Sequence, residues 1–350
     1  MIIKNNVIEQ KKVTTYLNYS LPLCLVLADA TKRNWILEYF SDIYLMYGYD
    51  GYVWLDYNIQ DNYLDGIVES ISVSIDEMRN ENDIILYILK KLQQNYCIML
   101  FADMYYLNNT ESYMINHYVN QIFIYGLNTS RKELYGIGFD VNFRFKKMTY
   151  SFEEIRQGYQ ECVNNIKFEP GWVSKHNVLC MKVREYGKSY NVNISNIIAE
   201  IRKFYSSLGK VKDLREDVIN ERGNIAHFGF NAQQECIKSV LKLYENQYVI
   251  DYRSIHLLCE HKKLMYEKLK YIVKNINEED VTCVNEFKII AEGFDKIRWM
   301  YLKNVLKDNE MHNIYGQLKN KKIILRIYEN LNILSQKEKE IMDIFLQGYE

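Results

Sequence analysis

The chain has 350 residues, with 44 Lys and Arg against 45 Asp and Glu, a formal charge of −1, and 48% hydrophobic residues. That length favours two domains with sizeable cores, and a near-neutral charge without a basic block lacks the electrostatic footprint of a nucleic-acid binder. No run of about 18 apolar residues predicts a membrane span, and Met1-Ile2-Ile3-Lys4 opens no signal-peptide pattern.

In chain order, Leu21 to Tyr47 is strongly apolar with charged breaks at Asp29, Lys32, Arg33 and Glu38, and predicts one or two helices. Ile71 to Gln94 places Ile75, Met78, Ile84, Ile85, Ile88 and Leu92 at helical spacing and predicts another. Cys97 to Ala102 is a short unbroken apolar run, as in a buried strand. His117 to Tyr125, Leu134 to Phe139 and Asn142 to Lys147 are strand-like and separated by turn material such as Asn128-Thr129-Ser130. Ser151 followed by Glu154 predicts a capped helix start.

The run Asn164 to Ser174, with Glu169-Pro170-Gly171-Trp172, breaks the pattern and divides the chain into residues 1–170 and 171–350. Beyond it, Ile194 to Leu208, Gln233 to Gln247, Ser254 to Asn275, Val281 to Lys307 and Lys337 to Leu346 repeat near 3.6, with one edge strand near Leu179 to Val183. The expected class is α+β, with a C-terminal all-helical domain. The seven cysteines (Cys24, Cys97, Cys162, Cys180, Cys236, Cys259 and Cys283) stand singly with no Cys-x-x-Cys pair. They read as reduced thiols of a cytoplasmic protein without disulfides or a structural zinc.

One set of residues carries a connected chemical argument. Asn18 stands six residues before Cys24, Pro22 suits a helix start just ahead of the thiol, and His117 and Asp140 follow downstream. A nucleophilic thiol needs a helix N-terminus or a cation to stay ionised, an imidazole base oriented by a third group, and oxyanion donors. Cys24 is the expected nucleophile and the most reactive of the seven thiols, His117 the base, Asp140 the orienting group, and Asn18 an oxyanion donor. The competing reading makes Cys24, between Leu23 and Leu25, a small buried hydrophobe.

The stretch His117-Tyr118-Val119-Asn120-Gln121-Ile122-Phe123-Ile124-Tyr125-Gly126, with Tyr135-Gly136-Ile137-Gly138-Phe139-Asp140 and the upstream Phe101-Ala102-Asp103-Met104-Tyr105-Tyr106, resembles part of a known domain. It is similar to the papain-like, C39-peptidase-like domain of butirosin-biosynthesis-type acyltransferases, whose relatives occur in thiotemplated and nonribosomal peptide antibiotic clusters. Asp251 to His256, running into Glu260-His261-Lys262-Lys263, is similar to the helical half of these proteins. The resemblance implies a papain-like N-terminal domain with the helical domain shaping the substrate cleft. It also implies transfer of an acyl or peptidyl group from a carrier-protein thioester, through Cys24, to an amine, as in a closthioamide-type amide synthase. The partners implied are an acyl- or peptidyl-carrier protein and an amine acceptor, with no nucleic acid or membrane. No cofactor or metal is implied, since the phosphopantetheine arm arrives with the carrier protein. In such domains the catalytic histidine stands six residues before the glycine that is Gly126 here. That position holds Asn120, three residues after His117. A cysteine hydrolase and a non-catalytic binding protein of a biosynthetic cluster are the alternatives.

Elsewhere, His256 and Glu260 are four apart on a predicted helix and read as a salt-bridged face. Arg253, Lys262 and Lys263 read as ordinary surface charge, with phosphopantetheine contact as the functional alternative. Trp35, Trp54 and Trp172 read as core, and His227 as a helix-end or loop residue.

Overall fold

A computed structural model describes residues 1–47, 52–60, 62–74, 77–78, 83–164, 178–185, 189–208, 225–244, 249–250, 252–276, 281–306 and 321–349. The fold is mixed α/β with a helical C-terminal region. Among the described residues no helix is long and apolar enough to cross a membrane. The chain forms two compact units, each assembled from two segments: Met1–Asn34 with Asn62–Tyr190, and Trp35–Asp61 with Asn191–Glu350. The division expected at residue 170 lies among residues outside those described, and the observed one falls later, between Tyr190 and Asn191.

The first unit is a seven-stranded antiparallel sheet. Its strands are β1 (Ile2–Lys4), β4 (Val68–Val73), β5 (Cys97–Asp103), β6 (Val119–Asn128), β7 (Glu133–Phe139), β8 (Phe145–Ser151) and β9 (Val178–Val183), in the order β4-β9-β5-β6-β7-β8 with β1 on β6. Its helices with described bounds are α1 (Leu17–Val26), α2 (Ile84–Gln93) and α3 (Phe152–Asn164). Ile84, Ile88 and Leu92 of α2 recur at intervals of four. They pack with Ile155, Tyr159 and Val163 of α3 over Ile98, Leu100, Ile122 and Ile124 of the sheet. The predicted capping box opens α3: the Glu154 N–H donates to Ser151 Oγ at 3.1 Å, and the Ser151 N–H to Glu154 Oε2 at 2.6 Å. Gly126 faces β1, where a Cβ would lie 2.5 Å from the Ile3 carbonyl oxygen, so close passage of the N-terminal strand accounts for that glycine.

Several expectations are corrected here. Leu21 to Tyr47 holds α1, a 3₁₀ turn (Arg33–Glu38) and the strand β2 (Ile43–Tyr47). β2 is almost entirely buried and central in its sheet, so it lacks the alternation that marks a half-exposed strand. The expected helix from Ile71 begins as β4, whose Val-Glu-Ser-Ile-Ser-Val alternates as strands do. β9, expected at the edge of a helical domain, lies inside the first unit between β4 and β5.

The second unit combines a four-stranded sheet with five helices among the described residues. The sheet order is β10 (Ile225–Phe228), β2, β3 (Tyr52–Tyr57) and β11 (Val249–Ile250), and His227 therefore lies in a strand. The helices are α4 (Ile194–Ser206), α5 (Gly229–Tyr244), α6 (Tyr252–Asn275), α7 (Thr282–Leu306) and α8 (Lys321–Gln347). Four of them, α4 to α7, cover stretches read as helical in the sequence, whereas α8 begins at Lys321, sixteen residues before the expected Lys337.

An ionic network runs through this unit. Lys262 and Glu338, both fully buried, pair at 2.7 Å, and Glu338 also accepts from the Tyr205 hydroxyl at 2.6 Å and from Gln233 at 2.9 Å. Lys262 donates to His261 Nδ1 at 3.1 Å, which leaves the proton of that ring on Nε2, facing the Ser41 carbonyl at 2.8 Å. Burial holds His261 well below the ordinary histidine range, with the Lys262 charge adding to the effect. Lys268 donates to the Tyr39 carbonyl and to Ser41 Oγ. Its burial pulls the ammonium down to about 7, with Glu200 opposing the shift. Between that value and the ordinary lysine range the unfolded chain binds the extra proton, so this group makes stability rise as pH increases from 7. From about pH 9 the effect is opposed by Cys24, Cys97, Cys162, Cys236 and Cys259, whose thiols burial pushes up to about 12. Denaturant unfolding should therefore show a gain on the order of 2 kcal/mol from pH 7 to 9, flattened in Lys268→Met. An unchanged slope in that variant would show that Lys268 is charged in the native state.

Candidate functional site

The expected thiol is in the wrong place for catalysis. Cys24 is the eighth of ten residues in α1, toward the negative end of the helix dipole, with Tyr16 as the N-cap and Pro22 inside the helix. Its side chain is fully buried, and Sγ donates to the Ser20 carbonyl one turn earlier at 3.3 Å. Desolvation pushes the thiol up to about 12, with a backbone hydrogen bond from Gln10 opposing, so it is not ionised near neutrality. Asn18, in the first turn of the same helix, is exposed. Six residues of helix set the two about 9 Å apart along the axis and on different faces, so the Asn18 amide does not serve an oxyanion at Cys24.

Nor does the fold bring the thiol to the imidazole. The Cys97 thiol, which opens β5, is close enough to Cys24 to be influenced by it. His117 is paired instead with Asp103, which closes the same strand. At about 3.3 Å per residue the two ends of β5 are roughly 20 Å apart. A thiol-alkylating reagent should accordingly modify Cys283, the one cysteine that is not buried, well before Cys24. Preferential labelling of Cys24 in the native protein would contradict this placement.

Asp140 does not orient His117. Its Oδ1 accepts from the N–H groups of Asn142 and Arg144 at 2.9 Å each, and its Oδ2 pairs with Lys146 at 2.7 Å, closing the β7–β8 turn. Burial opposes ionisation of Asp140, but Lys146 and those N–H groups outweigh it and hold the carboxyl below its usual range. Asn120 lies in β6, opposite Ala102, with its Oδ1 on the Gln121 N–H.

What the structure assembles is an aspartate–histidine pair. Asp103 caps a 3₁₀ turn (Met104–Tyr106), its Oδ1 accepting from the Tyr105 and Tyr118 N–H groups at 3.1 Å each. His117 sits two residues before β6, and its Nδ1 meets Asp103 Oδ2 at 2.6 Å. Only 1% of the Asp103 side chain is exposed against 41% of His117. A carboxylate only accepts, so Nδ1 carries the proton and Nε2 offers the lone pair of the neutral ring. Tyr105 stacks on the imidazole with centroids 4.3 Å apart, and Tyr106 lies 6.1 Å away at a tilt. The loop is pinned to the strand end, with the Met104 N–H donating to the Tyr118 carbonyl at 2.8 Å and the Met114 N–H to the Tyr105 carbonyl at 3.0 Å. Burial raises the Tyr106 phenol, and the carboxylates of Glu161 and Asp103 raise it further. Asp103 was visible in the sequence as a carboxylate directly after an apolar strand, the position of a turn cap.

The other candidates are structural. His256 Nε2 pairs with Glu260 at 3.0 Å, and Arg298 lies 3.1 Å from His256 Nδ1. Lys262, read from sequence as surface charge, is buried, while Lys263 pairs with Asp295 at 2.8 Å. Trp35 is core, and Trp172 lies outside the described residues. Among the described residues no three His, Cys, Asp or Glu side chains gather as metal ligands would. No protein-family model matches the chain, and a search of curated proteins finds no similar sequence.

Proposed function

We propose that the protein is an acyltransferase that uses His117 as a general base, moving an acyl or peptidyl group from a thioester to an amine in one displacement. The observation that carries this reading is a buried carboxylate holding a partly exposed imidazole with Nε2 as its basic nitrogen. In the proposed step, Nε2 takes a proton from the acceptor amine as the nitrogen attacks the thioester carbonyl. The imidazolium, stabilised by Asp103, then returns that proton to the departing thiolate. The product is an amide and a free thiol, and no enzyme-bound acyl group forms. A carrier-protein donor, a papain-like domain and a cytoplasmic setting in antibiotic assembly belong to the same proposal and rest on the resemblance alone.

The test is turnover of an acyl N-acetylcysteamine thioester with and without an amine. Cys24→Ala should retain amide formation, and His117→Ala should abolish it. Acid formed equally with and without amine would make the enzyme a hydrolase. A second reading, a non-catalytic binding protein, is favoured by one observation: Asp103 also closes the turn through Tyr105 and Tyr118, so the fold alone gives it a purpose. Thioester turnover unchanged in His117→Ala would reject the base assignment.

A further inference from the structure

A bond at one nitrogen and a contact across the ring face together fix where an imidazole sits. For His117 the Nδ1 contact with Asp103 Oδ2 at 2.6 Å supplies the first. Alone it is a pivot about which the ring can swing, because the terminal torsion of a histidine is soft. The Tyr105 ring supplies the second, lying 20° from parallel to the imidazole with centroids 4.3 Å apart. Tyr105 is itself held by its backbone. Its N–H donates to Asp103 Oδ1 at 3.1 Å, and its carbonyl accepts the Met114 N–H at 3.0 Å. Met114 makes that bond from left-handed backbone, at φ 56°, a conformation that a residue with a side chain keeps only where its surroundings enforce it. The Tyr106 ring packs on Tyr105 in a T shape, with centroids 5.2 Å apart and 77° between the planes. Carboxylate and ring platform thus belong to one 3₁₀ turn, and the imidazole is gripped by both.

We infer that Tyr105 is a positioning residue, its ring setting the plane of the His117 imidazole and so keeping the ring proton on Nδ1, against Asp103. This role rests on the acyl-transfer reading for its effect on turnover, but not for the geometry. Tyr105 needs no contact with substrate, since its effect passes through His117. Nitrogen–proton correlation spectra of the histidine rings in the full chain read the tautomer without any turnover, with the His117 signal assigned by its loss in His117→Gln. In its neutral form the parent should show His117 protonated at Nδ1. Tyr105→Leu keeps apolar bulk and both backbone bonds but has no flat face. It should mix the two tautomers and lower thioester turnover about 10- to 100-fold, as misplacement of a reacting group does, with the Michaelis constant nearly unchanged. Tyr105→Phe, which restores the ring without the hydroxyl, should recover both the single tautomer and the turnover. A parent-like tautomer in Tyr105→Leu would overturn the inference. So would a Phe variant that behaves as the Leu variant does, because the hydroxyl rather than the ring face would then be the operative group. If no thioester turns over and Tyr105→Leu still mixes the tautomers, the acyl-transfer reading falls and the placement of His117 by Tyr105 stands.

Discussion

Asp103→Asn is expected to lower turnover by about 10²–10⁴-fold, the ordinary worth of a positioned acid–base group, while leaving the Michaelis constant nearly unchanged. The amide oxygen of an asparagine still accepts from the Tyr105 and Tyr118 N–H groups, which now hold Oδ1, so the turn at the end of β5 survives. Its NH₂, however, faces Nδ1 where Oδ2 now stands at 2.6 Å. A donor there forces Nδ1 to accept, the ring proton moves to Nε2, and Nε2 can no longer take a proton. The variant should unfold within about 2 kcal/mol of the parent yet turn over poorly, a combination that a purely structural aspartate would not give. Activity within a few-fold of the parent, with stability intact, would mean that the ring's tautomer is irrelevant and that His117 is not the base.

Glu338→Leu is expected to cost about 3–5 kcal/mol, because it leaves the fully buried Lys262 ammonium without a counter-charge. The loss is a large part of the roughly 5–15 kcal/mol by which domains are stable. The Tyr205 hydroxyl and the Gln233 amide also lose their acceptor. Lys262→Met should cost a similar amount, since it strands the Glu338 carboxylate. The double variant should be far less destabilised than the sum of the two, because removing both charges removes the desolvation penalty along with the attraction. Denaturant midpoints of the four proteins measure the coupling. Additive losses would show that the pair contributes nothing as a pair.

These outcomes depend on features that the sequence shows unequally. The capping box of Ser151 and Glu154 is a local pattern and was readable, as were α4, α6 and α7, whose apolar faces repeat every 3.6 residues. β2 was unreadable because burial on both faces erases alternation, leaving an apolar run that fits a helix equally well. The pairing of β9 with β4 and β5 is non-local, and nothing in Val178 to Val183 says which sheet it joins. At the site, His117 and Asp103 both stood within the quoted motif. Their pairing was hidden because it depends on the 3₁₀ turn that folds residue 117 back over the end of β5. Asp140 has the right chemistry at the wrong address, engaged by Lys146. Cys24 looked like a nucleophile because a one-dimensional order says nothing about where in a helix a residue falls.

The interleaving of the two units has a consequence for synthesis of the chain. The first has all its segments once Tyr190 has left the ribosome, but β2 and β3, made before residue 60, belong to a unit whose remaining segment starts at Asn191. At about 5–20 residues per second, those two apolar strands must wait roughly 10–40 seconds for the helices that cover them. Chaperone dependence during translation, and insolubility of fragments that stop near residue 190, should trace to those two early strands.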